Sequence, residues 1–293
     1  MLIPQVKNGV LNIDKPQGIT SHDVVDVIRK IFPTVKVGHT GTLDPLATGV
    51  LPICIGKATK LSDVLTSETK KYKVKMLLGV ETDTYDVTGK IVFASVVKED
   101  EIYIKERIKR FIGKQEQVPP IYSAIRIDGR HAYSYAREGK KLELPPREIE
   151  IFNIEDIKVE LPKREVEFVV TCTKGTYIRS LVNDIGKKIG CGAIMIELTR
   201  LQTGNFKIED SIKLYDFLKL DYEDMLDKII SIDKYFEDKK RVNLDKEMYK
   251  EFLNGVKFEV DSGEGIVRVY SENRYRGLGI INDKVLKRYI IEW

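Results

Sequence analysis

The stretch GHTGTLDPLATG, residues 38–49, sets one carboxylate, Asp44, directly before Pro45 and surrounds it with His39, three glycines and three threonines. A residue preceding proline is pushed out of the helical region, so this carboxylate is presented from a turn or an extended backbone. Two uses fit such a residue. Asp-Pro is a common turn dipeptide whose side chain closes an Asx-turn. Alternatively, the acid faces a ligand, with Gly38, Gly41 and Gly49 admitting it close to the backbone and Thr40, Thr42 and Thr48 supplying hydroxyls. A simple turn needs fewer glycines.

Three other residue types could join that chemistry. Tyr72 reads either as a core aromatic with its hydroxyl at the rim, or as a ring on which a base stacks, on a strand whose other face is lysine-rich. Arg179 lies near a helix start, where the helix dipole disfavours a cation, and this conflict points to a carboxylate partner. His39 could be a general base, a metal ligand or a packed loop residue. A metal is the weakest of these, since no second histidine stands at ligand spacing and ETDTYDVTG (81–89) lacks the alternating ligands of a calcium loop. TGTLD places its aspartate after the TGT, the reverse of a phospho-aspartate loop, and no Walker, Rossmann or Gly-x-Ser-x-Gly pattern occurs. Cofactor-dependent chemistry is not expected.

The elements that must position these residues follow from periodicity. VLNID (10–14) reads as a strand, and Thr20 with Asp23 makes a capping-box start for a helix to about Phe32, with Val24, Val27, Ile28 and Ile31 as its stripe. VLPICIG (50–56) has the continuous apolar character of a buried strand. KKYKVKMLLGV (70–80) alternates, sending Tyr72, Val74, Met76 and Leu78 inward and Lys71, Lys73 and Lys75 outward. A helix is expected over 105–114, ending at Gly113, and 121–141 reads as a strand, a D-G turn and a short basic, tyrosine-rich helix. REVEFVVTC (164–172) alternates as a strand, and the chain then turns through Gly175 into a helix with Leu181, Ile185 and Ile189 inside and Gly190 as its stop. Tyr177 and Arg179 stand at its start. Beyond a charged helical stretch over 213–240, short strands imply a small β-barrel after a boundary near Lys239.

The totals bound the rest. A chain of 293 residues with 42% hydrophobic and 32% charged residues is long enough for a large core plus a small second domain. The net charge of +4 permits a nucleic-acid partner without requiring one. Cys54, Cys172 and Cys191 are odd in number and lack C-x-x-C spacing, which implies buried free thiols rather than disulfides or zinc. With no leader-like start and no apolar run of membrane length, the expected location is the cytoplasm.

Taken in order, DKPQGITSHD (14–23), VGHTGTLDPLATGVLPICIGKATK (37–60), KKYKV (70–74), QVPPIYSAIRIDGRHAYSYAREG (117–139) and KGTYIRSLVNDIGKKIGCGA (174–193) resemble the bacterial tRNA pseudouridine-55 synthases of the TruB family. FLNG and RGLGII near the end resemble, more weakly, the small RNA-binding PUA barrel of that family. The resemblance implies an α+β catalytic domain over 1–238 on a large mixed, mainly antiparallel sheet, an RNA-gripping insertion over about 121–150, and a PUA-like barrel over 239–293. It implies isomerisation of the T-loop uridine of tRNA at position 55, with no cofactor, no metal and no obligatory protein partner.

The same resemblance gives Asp44 the essential role at ribose C1′, as a nucleophile or in forming a glycal. It pairs Arg179 with that aspartate and stacks Tyr72 on the target base, as a candidate for removing the C5 proton. His39 is implied to contact the T-loop, Tyr177 and Leu198 to line the uracil pocket, and Lys15 with Pro16 to support the active-site loop. The target base must be swung out of its stack, at a cost of a few kcal/mol offset by stacking and phosphate contacts. Two rivals are a guide-dependent synthase sharing this core and a noncatalytic RNA-binding factor; the PPIYSAIRIDG segment favours a standalone enzyme.

Overall fold

The computed structural model describes residues 6, 8–66, 69–123, 125–127, 130–131, 135, 144–261 and 263–291. In chain order the strands are β1 (Gly9–Lys15), β2 (Val37–His39), β3 (Thr48–Ile55), β4 (Lys70–Leu78), β5 (Val80–Thr82), β6 (Ile91–Ala94), β7 (Gly113–Gln117), β8 (Arg126–Ile127), β9 (Arg130–His131) and β10 (Arg147–Glu160). They continue as β11 (Glu165–Cys172), β12 (Ala193–Thr203), β13 (Phe206–Lys207), β14 (Ile212–Lys213), β15 (Ile230–Ser231), β16 (Arg241–Leu244), β17 (Phe258–Glu259), β18 (Gly265–Ser271), β19 (Arg274–Asn282) and β20 (Val285–Ile291). An 11-stranded sheet runs β14-β1-β3-β12-β4-β11-β10-β7, with β2, β13 and β15 on its flanks. Only the β1–β14 and β3–β12 pairings are parallel, so the sheet is mixed and mainly antiparallel, as expected. A separate five-stranded sheet, β16-β18-β19-β20-β17, forms the PUA-like unit.

Three helices matter to the site. In α1 (Ser21–Ile31) the capping box forms: the Thr20 hydroxyl accepts from Asp23 N–H and the Asp23 carboxylate from Thr20 N–H. Its buried face is Val24, Val25 and Ile28, with Val27 and Ile31 half-buried, a slight rotation of the expected stripe. A second helix, α2 (Glu101–Lys109), starts and ends earlier than 105–114, because the Asp100 carboxylate caps it at Tyr103 N–H; Gly113 opens β7 instead of closing a helix. α3 (Ile178–Ile189) packs its Ile178, Leu181, Val182, Ile185 and Ile189 face into the core and stops at Gly190, whose φ of 105° suits glycine. The charged stretch 213–240 holds three short helices, Leu214–Phe217, Tyr222–Asp227 and Ile232–Tyr235.

The alternation of β4 holds. Tyr72, Val74, Met76 and Leu78 are buried, while Lys71, Lys73 and Lys75 point to the opposite face. There they meet Glu155 at 2.7 Å, Glu167 at 3.0 Å and Glu165 at 2.9 Å, carboxylates from the neighbouring hairpin β10–β11. The lysine-rich face expected of this strand is present, and its cations are matched by glutamates of the same sheet.

The expected basic helix after the D-G turn lies almost wholly outside the described residues; β8 and β9 form the described ladder of that insertion. Cys54, Cys172 and Cys191 are buried free thiols. The second sheet docks through Leu278 and Ile290 against Phe206, Tyr235 and Phe236, beside an ion pair of Arg268 with Asp233 at 3.1 Å. No helix among the described residues is long and apolar enough to cross a membrane.

Candidate active site

The loop between β2 and β3 reaches the core without spending its carboxylate. Ala47 N–H donates to the Asp44 carbonyl at 3.0 Å, which closes a four-residue turn with Pro45 at its second position, the place where proline's fixed φ belongs. Backbone therefore makes the bend. The loop is pinned from outside by Gly18 N–H to the Pro45 carbonyl at 2.8 Å and by the Ser21 hydroxyl, which accepts from Leu43 N–H at 2.8 Å. Lys15, fully buried on β1, donates to the Pro16 and Ile19 carbonyls at 2.9 and 2.8 Å and so holds the segment that carries Gly18. Burial pushes the Lys15 ammonium down to about 8, against the opposing pull of Asp44.

The freed carboxylate meets Arg179. Its Nη2 donates to Asp44 Oδ1 at 3.3 Å and its Nε lies 2.8 Å from Oδ2, the second contact bent away from a straight hydrogen bond. The same guanidinium donates to the Tyr122 carbonyl at 2.9 Å and the Thr84 carbonyl at 3.3 Å, and Asp86 Oδ2 stands 3.8 Å away. With the arginine side chain 7% exposed and the aspartate 37%, a fixed cation holds an anion whose outer edge remains open. Thus the dipole conflict at the start of α3 has its answer in Asp44. Tyr177, the cap residue, adds no side-chain cap; Gln117 replaces one, accepting from Tyr177 N–H at 2.8 Å and donating to its carbonyl at 3.1 Å.

Asp44 opens onto a cavity of about 750 Å³. Tyr72, Tyr177, Leu198 and Arg179 line it, together with Gly41, Thr42, Lys70, Lys174 and Arg200. An apolar lining with a few convergent polar groups and room of this size suits a nucleoside. Burial pushes the Tyr72 phenol above its ordinary pKa, partly offset by the Arg200 guanidinium beside it. The Tyr177 phenol is likewise raised by burial. His39 and Lys15 do not line the cavity. His39 sits on β2, where burial and the Arg200 charge hold its imidazole below the usual range.

Three partners escaped the sequence reading. Arg200 shares the strand parity of Leu198, so an inward-facing arginine on an apolar strand was a visible signal. Gln117 gave none, because its role depends on a strand 60 residues from Tyr177. Asp86 belongs to the acidic stretch tested against a calcium loop; instead it closes an Asx-turn, accepting from Thr88 N–H at 2.9 Å and from the Thr84 hydroxyl at 2.8 Å. Among the described residues no cluster of three or more His, Cys, Asp or Glu could hold a metal.

Residues 29–178 match the family described as TruB family pseudouridylate synthase (N terminal domain), and residues 179–234 match the tRNA pseudouridylate synthase B C-terminal domain. The chain is 48% identical over 281 residues to the tRNA pseudouridine synthase B of Clostridium tetani, covering 93% of this chain and 95% of that protein. It is 45% identical over 298 residues to its counterpart in Clostridium kluyveri, covering 97% and 100%. Among solved structures it superimposes on a chain from a Cbf5-Nop10-Gar1 complex with a TM-score of 0.71 and 29% identity, covering 94% of this chain and 78% of that one.

Proposed function

The chain belongs to the TruB family of pseudouridylate synthases, and from that premise we propose that it isomerises the T-loop uridine of tRNA, position 55, as a standalone cytoplasmic enzyme. The observation that carries this reading is the Asp44 carboxylate, released from its own turn, fixed by buried Arg179 and opening onto a nucleoside-sized cavity.

In the reaction the bond from ribose C1′ to N1 breaks, a bond from C1′ to C5 forms, the C5 proton leaves and N1 gains a proton. Asp44 acts at C1′, as a nucleophile or in forming a glycal, and the fork of Arg179 keeps it aimed there. Tyr72 stacks on the extruded base and is the candidate to remove the C5 proton, with Tyr177 and Leu198 forming the walls. Lys70 and Lys174 bring positive charge to a cavity that a phosphate backbone must approach. His39, on the strand that leads into the loop, takes the T-loop contact, and Lys15 holds the loop from beneath. No cofactor enters this balance.

Incubation of the pure protein with an unmodified tRNA transcript carrying C5-tritiated uridine tests the proposal. The expected result is stoichiometric tritium release without guide RNA or partner protein, abolished when the T-loop uridine is replaced by cytidine. The solved structures that the chain resembles include an H/ACA RNP bound to a substrate RNA. Release only after adding a guide RNA would favour that mode of action, and tight binding with no release would favour a noncatalytic RNA-binding factor.

A further inference from the structure

Arg200 is one of the largest fully buried side chains in the protein, at 1% exposure, and among the described residues it makes no ion pair. A buried charge without a counter-ion is costly, and methionine or leucine would fill the same space without that cost. What the guanidinium touches accounts for its presence. Its Nε donates to the Val50 carbonyl at 2.6 Å and its Nη2 to the Gly41 carbonyl at 3.1 Å, residues that bracket the Asp44 loop on both sides. Arg200 and Tyr72 line the same cavity, and the guanidinium charge favours the ionised Tyr72 phenol against its burial.

Strand register makes this placement necessary rather than incidental. On β12, Arg200 stands opposite Gly49 of β3 and opposite Tyr72 of β4, and the β12–β4 ladder is irregular between Arg200 and Gln202, where a bulge re-aims side chains. Gly49 has φ +99°, and a Cβ there would sit 2.3 Å from the Arg200 carbonyl oxygen, so the loop's end closes directly against the Arg200 backbone. One residue thus bonds the strand after Asp44 and the loop before it, and stands beside Tyr72 on the neighbouring strand.

The geometry points to Arg200 as a positioning residue of the isomerisation: a single rigid guanidinium ties both ends of the Asp44 loop together beside Tyr72, its cross-strand neighbour, and so fixes the separation of carboxylate and phenol across the bound nucleotide. This rests on the roles given above to Asp44 and Tyr72. Lysine cannot reproduce the connection, because an ammonium lacks the planar fork that spans the Val50 and Gly41 carbonyls in fixed directions. Misplacing a reacting group by about 1 Å costs on the order of 100-fold in rate, without a matching loss of binding.

The test uses Arg200→Lys and Arg200→Gln in the full-length protein, with single-turnover tritium release, tRNA affinity, and the ¹³Cζ resonances of labelled tyrosine followed against pH. The expected result is a fall of about 100-fold in the single-turnover rate with affinity within about threefold of wild type. In Arg200→Gln the Tyr72 phenol should also titrate at higher pH than in wild type, while the other tyrosine resonances stay in place. Wild-type rates, equal losses in rate and affinity, or an unmoved Tyr72 resonance would each overturn the assignment. A fully active Tyr72→Phe would refute the tyrosine role itself and with it the phenol side of the strut, whereas the resonance still reports the contact independently of activity. If neither variant folds, the wild-type spectrum decides: nuclear Overhauser contacts from the Arg200 guanidinium protons to the Tyr72 ring are required, and their absence contradicts the arrangement.

Discussion

Replacing Arg179 by lysine separates charge from geometry at the centre of the site. The wild-type guanidinium holds Asp44 through two nitrogens, at 2.8 and 3.3 Å, while the same group serves the carbonyls of Tyr122 and Thr84. An ammonium is a point charge: it can approach one carboxylate oxygen but cannot span both and also reach two carbonyls. Leaving one or two buried carbonyls unpaired costs about 1–3 kcal/mol of stability each. On the proposed role of Asp44, the carboxylate loses its fixed aim toward C1′, for which a rate loss of about 100-fold, equivalent to about 2.7 kcal/mol, is the expected scale. Because Arg179 is almost buried and faces Asp44 rather than solvent, RNA affinity should stay within about threefold of wild type. Single-turnover tritium release at saturating tRNA gives the first quantity and filter binding gives the second. Equal losses in rate and affinity would refute the reasoning, since they would make Arg179 a phosphate contact; so would an unchanged rate.

Lys15 links stability to pH. Its folded pKa of about 8 lies below that of an unfolded lysine, so between these values the unfolded chain holds more protons and stability rises with pH from about 8 to about 10.4. Urea unfolding of wild type and Lys15→Met at pH 7 and near 10.5 should show the wild type gaining up to about 3 kcal/mol relative to the variant; a constant difference contradicts the burial of a charged ammonium. Gly49→Ala must push β3 away from Arg200 and strain a left-handed backbone, which predicts a loss of about 2–3 kcal/mol in urea unfolding. A neutral effect would mean that this contact is looser than described. Lys73→Gln should leave the salt dependence of tRNA binding unchanged, since Lys73 is paired with Glu167 on the sheet face turned away from the cavity; a shallower slope would place RNA on that face.

Much of the scaffold was legible because its signals are local. The capping box of α1, the alternation of β4 and the glycine stop of α3 each depend on residues within one or two turns or along one strand, and each forms as read. The start of α2 was missed because Asp100 lies outside the apolar repeat that marked the helix. Asp44, Tyr72 and Arg179, named from the order of motifs, face one cavity, and the carboxylate partner that the dipole conflict at Arg179 called for is Asp44. What sequence could not separate was the Asx-turn from a free carboxylate. That choice depends on whether backbone or side chain closes the bend, and Ala47 N–H settles it in favour of backbone. The partners of the β4 lysines were not legible for a complementary reason: these glutamates lie on β10 and β11, about 85–95 positions further along the chain, where no local pattern connects them.

Asp44→Asn gives the most direct measurement. It keeps the size of the side chain and the turn while removing the anion, and the assay is tritium release from C5-labelled uridine in an unmodified tRNA transcript, with binding measured in parallel. The account predicts no detectable release, with tRNA affinity within about threefold of wild type. Release at a rate comparable to wild type would contradict the assignment of Asp44 to the chemistry at C1′.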